Sequence, residues 1–301
     1  MDRRKFLQVG SLSALGLFLG GGLMNPGFAH FTASFNGQLL PLRGTSSLFF
    51  NKGGNVGVFE VEDGFVIVDS QFPQFIAELL STLKQSGKPI LYLANTHHHG
   101  DHTSGNIAFT DLKVGIVAHK TVPSSQKEAA ALSGSLDKQK YANILFDKEF
   151  KFDLGSSTLK GYHFGSGHTR GDAMYHFEDD NVVHMGDLMF KDMIPVFRKK
   201  DDASLTGWVE ILNRAIGFFD KETLFIFGHG PEVKSSYGTR EDLLEMKNFL
   251  EASHQFILKS IEKGQTTQEL LKEHKYIPGF PNRETPQRFE SFIDEVRSTL
   301  L

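Results

Sequence analysis

Four side chains able to grip a metal ion fall within one short run, Thr96-His97-His98-His99-Gly100-Asp101-His102: His97, His99, Asp101 and His102. Zinc is held by imidazole nitrogen and carboxylate oxygen. The run leaves an apolar stretch, Ile90–Ala94, that reads as a buried strand. In a tight loop after a strand, alternate side chains can point at one spot, so His97 and His99 can share one ion while Asp101 and His102 turn toward a second. A lone histidine is more often a core or surface residue; a cluster reverses that expectation. His98 sits between the candidates on the alternate face and is read as a non-ligand.

Three later motifs each set one more candidate beside a glycine: Gly167-His168-Thr169-Arg170-Gly171-Asp172, His184-Met185-Gly186-Asp187 and Gly228-His229-Gly230-Pro231. Each ends or follows a predicted strand, and glycine permits the tight backbone such a corner needs. His168, Asp187 and His229 thereby join the first four. Two cations about 3.5–4 Å apart lower the pKa of a shared water and polarise the bond under attack; Asp101 is placed to orient that hydroxide as well as bind metal. Histidine ligands donate their second nitrogen to a carboxylate or carbonyl, which makes Asp69, at a strand end, and Asp172 candidates for that support. His163 and His184 are read as structural. His30, His119, His176, His254 and His274 lack ligand spacing. Lys191 and Arg198 could meet a substrate carboxylate or be solvated loop charges.

The elements that must carry these residues alternate between strand and helix. Val56–Val61, a turn at Glu62-Asp63-Gly64 and Phe65–Val68 predict a β-hairpin. Pro73 opens a helix with Phe75, Ile76, Leu79, Leu80 and Leu83 at helical spacing, ended near Gly87. A helix is expected from Thr103-Ser104-Gly105-Asn106, then strand Val114–Ala118, a helix from Val122, and strands near Thr158–His163, Ala173–Phe177 and Val182–Met185. Helix Leu205–Phe218 and strand Leu224–Phe227 follow. Thr239 with Asp242 resembles a capping box before a long amphipathic helix. Leu48-Phe49-Phe50 before Gly53-Gly54 reads as a flap or a buried strand start. Hairpins mixed with strand–helix units predict an α/β layered domain, with helices from about residue 239 forming an appendage or an outer layer.

Composition narrows the chemistry. With 301 residues and no cysteine, the chain can bury a full core but has no disulfide, thiolate ligand or cysteine nucleophile. Hydrophobic residues at 40% and charged residues at 23% are ordinary for a globular chain. The net charge of −4, with no basic stripe, offers nothing to nucleic acid. Asp2-Arg3-Arg4-Lys5-Phe6-Leu7 precedes an apolar, glycine-diluted run to Leu23 and a small-residue end at Gly27-Phe28-Ala29. That order describes an export signal, and the arginine pair resembles the twin-arginine class. Residues 1–29 are therefore expected to be a leader served by the twin-arginine export machinery, residues 30–301 a single hydrolase-like domain, and the destination periplasmic or otherwise outside the bacterial cytoplasm.

The His-x-His-x-Asp-His core at His97, His99, Asp101 and His102, with His168, Asp187 and His229 following in order, resembles the metallo-β-lactamase superfamily over roughly Leu48 to Pro231. The resemblance implies a four-layer αβ/βα sandwich with metals at one edge between the sheets. It assigns His97, His99 and His168 to a first ion and Asp101, His102 and His229 to a second, with Asp187 bridging two Zn²⁺ ions; iron or manganese could replace zinc. Aspartate at the Asp187 position resembles glyoxalase II, lactonases, phosphodiesterases and exported lactamase-like hydrolases, whereas two β-lactamase subclasses place cysteine there. The expectation is a hydrolase acting on a small molecule through an ester-, lactone-, thioester- or phosphodiester-like bond. A periplasmic β-lactamase, or a di-iron or mono-iron oxidoreductase on the same fold, are the alternatives.

Overall fold

The computed structural model describes residues 37–283 and 286–301. The leader expected over residues 1–29 lies outside the described residues. Within them, seven strands form a first sheet in sequence order: β1 (Gln38–Arg43), β2 (Ser46–Phe50), β3 (Val56–Val61), β4 (Gly64–Val68), β5 (Ile90–Ala94), β6 (Gly115–His119) and β7 (Ile144–Phe146). The first four pair antiparallel through short turns, and β4 to β7 pair parallel because helices intervene. These are α1 (Pro73–Leu83), the short α2 (Gly100–Thr103) running into a 3-10 segment at Ser104–Phe109, and α3 (Val122–Leu132). Pro73 sits in the first turn of α1, where its missing N–H costs nothing. Gly87, at φ 76°, closes the 3-10 turn that follows.

The second sheet contains β8 (Glu149–Lys151), β9 (Leu159–Tyr162), β10 (Met174–Phe177), β11 (Val182–His184), β12 (Leu224–Ile226) and β13 (Tyr237–Gly238), in spatial order β13-β12-β11-β10-β9-β8. The pair β11/β12 is parallel, since α4 (Leu205–Phe218) crosses between them. The C-terminal helices are α5 (Arg240–Glu262), α6 (Thr267–Glu273) and α7 (Pro286–Leu300).

Strand alternation sorts the apolar side chains into layers. Phe59, Val61, Val66 and Val68 of the first sheet meet Leu159, Tyr175, Phe177, Val182 and Ile226 of the second. Their neighbours Val56, Val58, Phe65 and Ile67 face outward onto Ile76, Leu79 and Leu83 of α1. On the far side, Met174, Val183 and Phe225 face Trp208, Ile211 and Leu212 of α4, with Leu243, Met246 and Leu250 of α5 and Phe292, Ile293 and Val296 of α7. Each such fully buried aliphatic or aromatic side chain contributes about 1.5–3 kcal/mol. The result is the α/β/β/α sandwich that the resemblance implies.

Several expectations are settled by this packing. The C-terminal helices are an outer layer rather than an appendage. Leu48 and Phe49 are fully buried in β2, so that segment is a strand and no flap. The helix expected at Thr103 starts earlier, at Gly100 inside the histidine run, because His99 is extended (φ −63°, ψ 148°) and forms the N-terminal boundary. No helix among the described residues is long and apolar enough to cross a membrane.

Candidate metal centre

The seven sequence-predicted residues converge where β5, β11 and β12 end and the loop after β9 folds over them. His97, His99 and His168 gather with Asp187, and Asp101, His102 and His229 form an adjoining group; in each, one donor atom per residue lies within 4.8 Å of every other. Asp187 faces both. Its Oδ2 lies 3.3 Å from His168 Nε2 and 3.7 Å from His97 Nε2. Its Oδ1 lies 3.0 Å from His102 Nε2 and 3.3 Å from His229 Nε2.

Glycines make this closeness sterically allowed. Gly186, at φ 53°, bends the chain into the 3-10 turn that presents Asp187. A Cβ on Gly228 would fall 2.2 Å from Asp187 Oδ1, and one on Gly54 would fall 2.1 Å from the His102 ring. The loop holding Gly54 is itself fastened to the site, its N–H donating to the Asp101 carbonyl at 3.1 Å.

The outward ring nitrogens of His97, His99, His102 and His168 are held by the protein. His102 Nδ1 donates to Asp69 Oδ2 at 2.7 Å, and Asp69 also accepts from the Thr96 N–H and hydroxyl, each at 2.8 Å. The Thr96 hydroxyl in turn lies 3.0 Å from His97 Nδ1, and His168 Nδ1 is 3.0 Å from the Val196 carbonyl. Asp69 thus does what the sequence suggested; Asp172 does something else. Its carboxylate accepts from the backbone N–H groups of Gly167, His168 and Thr169 and from the Thr169 hydroxyl, so it shapes the loop that carries His168 without touching the ring. Sequence reasoning missed Asp201, which lies 3.0 Å from His99 Nε2 and 3.4 Å from His98 Nε2. It stands in the charged run Lys199-Lys200-Asp201-Asp202, where no local pattern marks it.

Of the remaining candidates, His184, His163 and Lys191 are engaged by the protein, while Arg198 is exposed, its guanidinium 3.9 Å from Asp201 Oδ2. His184 Nε2 donates to the Asn55 carbonyl while its Nδ1 accepts from the Gly186 N–H. His163 stacks on His119 with ring centroids 3.8 Å apart. Lys191 is engaged by Asp242 at 2.9 Å.

Electrostatics divide the two groups. Burial holds His97 well below the ordinary histidine range, with His102 adding to it, and burial takes His99 to about 4 despite its hydrogen bond to Asp201. Burial opposes charge on His102 and His229 as well, but Asp187 and its fellow carboxylates outweigh it, raising His102 well above normal and His229 to about 9. Asp187 and Asp101 lie well below the carboxylate range: burial alone would raise them, and the surrounding imidazoles overcome it.

This donor set fits divalent cations. His97 Nε2 is buried inside the cluster with no hydrogen-bond partner. Ring nitrogens also face one another, His102 Nε2 with His229 Nε2 at 3.3 Å and His168 Nε2 with His99 Nδ1 at 2.9 Å. Lone pairs so arranged repel unless a proton or a cation lies between them. Nitrogen and carboxylate donors with no thiolate suit zinc and its neighbours in the first transition row.

The sequence profile of the metallo-beta-lactamase superfamily matches residues 51–229, more than half of the chain and all seven candidate ligands, and the chain belongs to that superfamily. Curated relatives include a hydroxyacylglutathione hydrolase of Methylococcus capsulatus, 29% identical over 118 residues, spanning 39% of this chain and 41% of the relative. Another, from Rhizobium etli, is 29% identical over 153 residues, spanning 51% of this chain and 53% of the relative. The chain therefore matches about half, or less, of these relatives' length. Among solved structures, the inverting sec-alkylsulfatase Pisa1 from Pseudomonas sp. aligns with a TM-score of 0.68 at 15% identity, covering 88% of this chain and 50% of that one. A metallo-beta-lactamase from Pontibacter korlensis aligns at 0.58 and 18% identity, covering 71% and 99%. At these identities the likeness is one of fold.

Proposed function

We propose that the protein is a metal-dependent hydrolase with two divalent cations, zinc in the first instance. His97, His99 and His168 would hold one, Asp101, His102 and His229 the other, and Asp187 both. The observation that carries this reading is Asp187, whose two oxygens each face a separate group of imidazoles. When bound, such a pair of cations supplies a nucleophile at neutral pH and polarises the bond attacked.

The chain's own residues set the direction of attack. The side chains of Asp101 and His229 keep 32% and 16% of their surface, whereas those of His97, His102 and His168 keep almost none. Substrate therefore approaches from the Asp101 side. The Asp101 carboxylate, kept deprotonated by the imidazoles of His102 and His229, can accept a hydrogen bond from the incoming nucleophile and so orient it. Phe190, stacked on His229 at 5.0 Å, and Trp208, 5.3 Å from His168, pack against two of the imidazoles and keep water from their faces.

Acyl thioesters and related esters are the favoured substrate class, in keeping with the hydroxyacylglutathione hydrolases among the relatives and with an aspartate at position 187. A panel of acyl-glutathione thioesters, lactones, phosphodiesters and β-lactams, compared as kcat/KM, tests the class. Thioester or lactone turnover should exceed β-lactam turnover. Penicillin or carbapenem hydrolysis near ~10⁶ M⁻¹s⁻¹, with esters ignored, would replace this reading with a β-lactamase. We propose further that the chain is exported through its arginine-pair leader; Arg3 and Arg4 replaced by Lys should trap precursor inside the cell, and unchanged export would refute it.

A further inference from the structure

We propose that Asp201 is a positioning residue for the candidate metal centre: it fixes the tautomer and orientation of His99, and the C-terminal helix α7 braces it. The inference rests on the two-cation reading above.

His99 differs from its neighbours in which nitrogen faces inward. His97, His102 and His168 turn Nε2 toward Asp187, whereas His99 turns Nδ1 inward, 2.9 Å from His168 Nε2. An imidazole can offer a lone pair on one nitrogen only if its proton sits on the other. For His99 that other nitrogen is Nε2, and 3.0 Å away is Asp201 Oδ2, a carboxylate that can only accept. Asp201 therefore selects the Nε2–H form and leaves Nδ1 free to bind. Within the first group His99 is held by a carboxylate of its own, while His97 leans on a hydroxyl and His168 on a backbone carbonyl. The other Asp201 oxygen lies 3.4 Å from His98 Nε2, so His98, His99 and Asp201 bring their donor atoms within 4.8 Å of one another, a trio that could itself hold a cation.

The turn that presents Asp201 is tied down on several sides. Its carbonyl accepts from the Arg170 N–H at 3.0 Å, and nearby Ser204 N–H donates to the Gly167 carbonyl at 2.9 Å, so it is stitched to the loop that carries His168. At its start, Lys199 N–H donates to Glu295 of α7 at 2.9 Å, and the Lys199 ammonium reaches the Ser298 carbonyl. Asp202, at φ 58°, closes it in the left-handed region. A carboxylate so fixed can hold a ring to one orientation, which an exposed acidic side chain on a free loop could not.

The test uses the full chain with Asp201→Ala and Asp201→Asn. Two quantities are read: zinc affinities from chelator competition, and the His99 tautomer from long-range ¹H–¹⁵N spectra of metal-stripped protein. Wild type should show His99 as the Nε2–H form. Asp201→Ala should populate both tautomers and weaken the tighter or looser equivalent assigned to His97, His99 and His168 by about 10–100-fold. Asp201→Asn, whose amide oxygen can still accept from Nε2–H, should recover most of both. If tautomer and affinity are unchanged in Asp201→Ala, the inference fails while the two-cation reading stands. If wild type binds no zinc but the tautomer responds as expected, the two-cation reading fails and the positioning role survives. Loss of a third zinc equivalent in Asp201→Ala would make Asp201 a ligand and overturn the proposal.

Discussion

Asp69→Asn should cripple the second cation group while leaving the fold nearly untouched. Asp69 is fully buried at φ 67°, a conformation that asparagine tolerates and alanine does not. Its Oδ1 accepts from the Thr96 N–H, which the amide oxygen of asparagine can also do. The change falls on Oδ2, which now accepts from His102 Nδ1 at 2.7 Å. An NH₂ there donates instead, so His102 must accept at Nδ1 and carry its proton on Nε2. That is the atom 3.0 Å from Asp187 Oδ1 and 3.3 Å from His229 Nε2, the one needed for metal. Loss of such a supporting partner costs about 10–100-fold in metal affinity, or about 1.4–2.7 kcal/mol. His97 is one rotatable hydroxyl further away, through Thr96, and should lose less. Chelator competition with zinc on wild type and variant, with thermal unfolding of the stripped proteins as a control, gives the comparison. Equally tight binding of both equivalents in the variant, or a greater loss in the first group than in the second, would show that Asp69 does not set the His102 tautomer.

Gly228→Ala should act on the same centre from the other side: its Cβ would meet Asp187 Oδ1 at 2.2 Å and the Gly186 carbonyl at 2.6 Å, so Asp187 must move. A stability loss of about 1–3 kcal/mol with loss of bound metal is expected, and a crystal structure of the variant with Asp187 unmoved would contradict it. For pH, His184 is buried and held at about 4, against about 6.5 when unfolded. Its contribution is complete above the unfolded value and is lost as pH falls from about 6.5 to 4, to a maximum of about 3 kcal/mol. Denaturant titrations of metal-stripped protein across that window should show a shallower pH dependence in His184→Asn than in wild type; parallel curves would rule the histidine out.

Much of the site was legible because its signals are local. The histidine run, the glycine beside each later candidate and the strand before each corner are all readable within a few residues, and the structure brings all seven candidates together. The α4 boundaries, Leu205–Phe218, follow from an unbroken helical spacing, and the Thr239/Asp242 capping box is present as expected. What could not be read lies in tertiary contact. Asp201 meets His99 across 102 positions of chain from within a run that looks like a solvated turn. Asp172 has the spacing of a ring partner, yet its loop folds so tightly that backbone N–H groups fill both carboxylate oxygens first. Strand β1 leaves no local signal, because it is an edge strand with Pro41 and half-exposed positions, lacking the apolar alternation of its neighbours.

Whether Asp187 joins two cations is decided by the zinc content of purified, zinc-equilibrated protein beside its Asp187→Ala variant. Wild type should hold close to two equivalents per chain, and the variant should lose the group of Asp101, His102 and His229 together with most hydrolytic activity. A single equivalent in wild type, unchanged content in the variant, or stoichiometric iron with redox activity in place of zinc would rule out a zinc pair joined by Asp187.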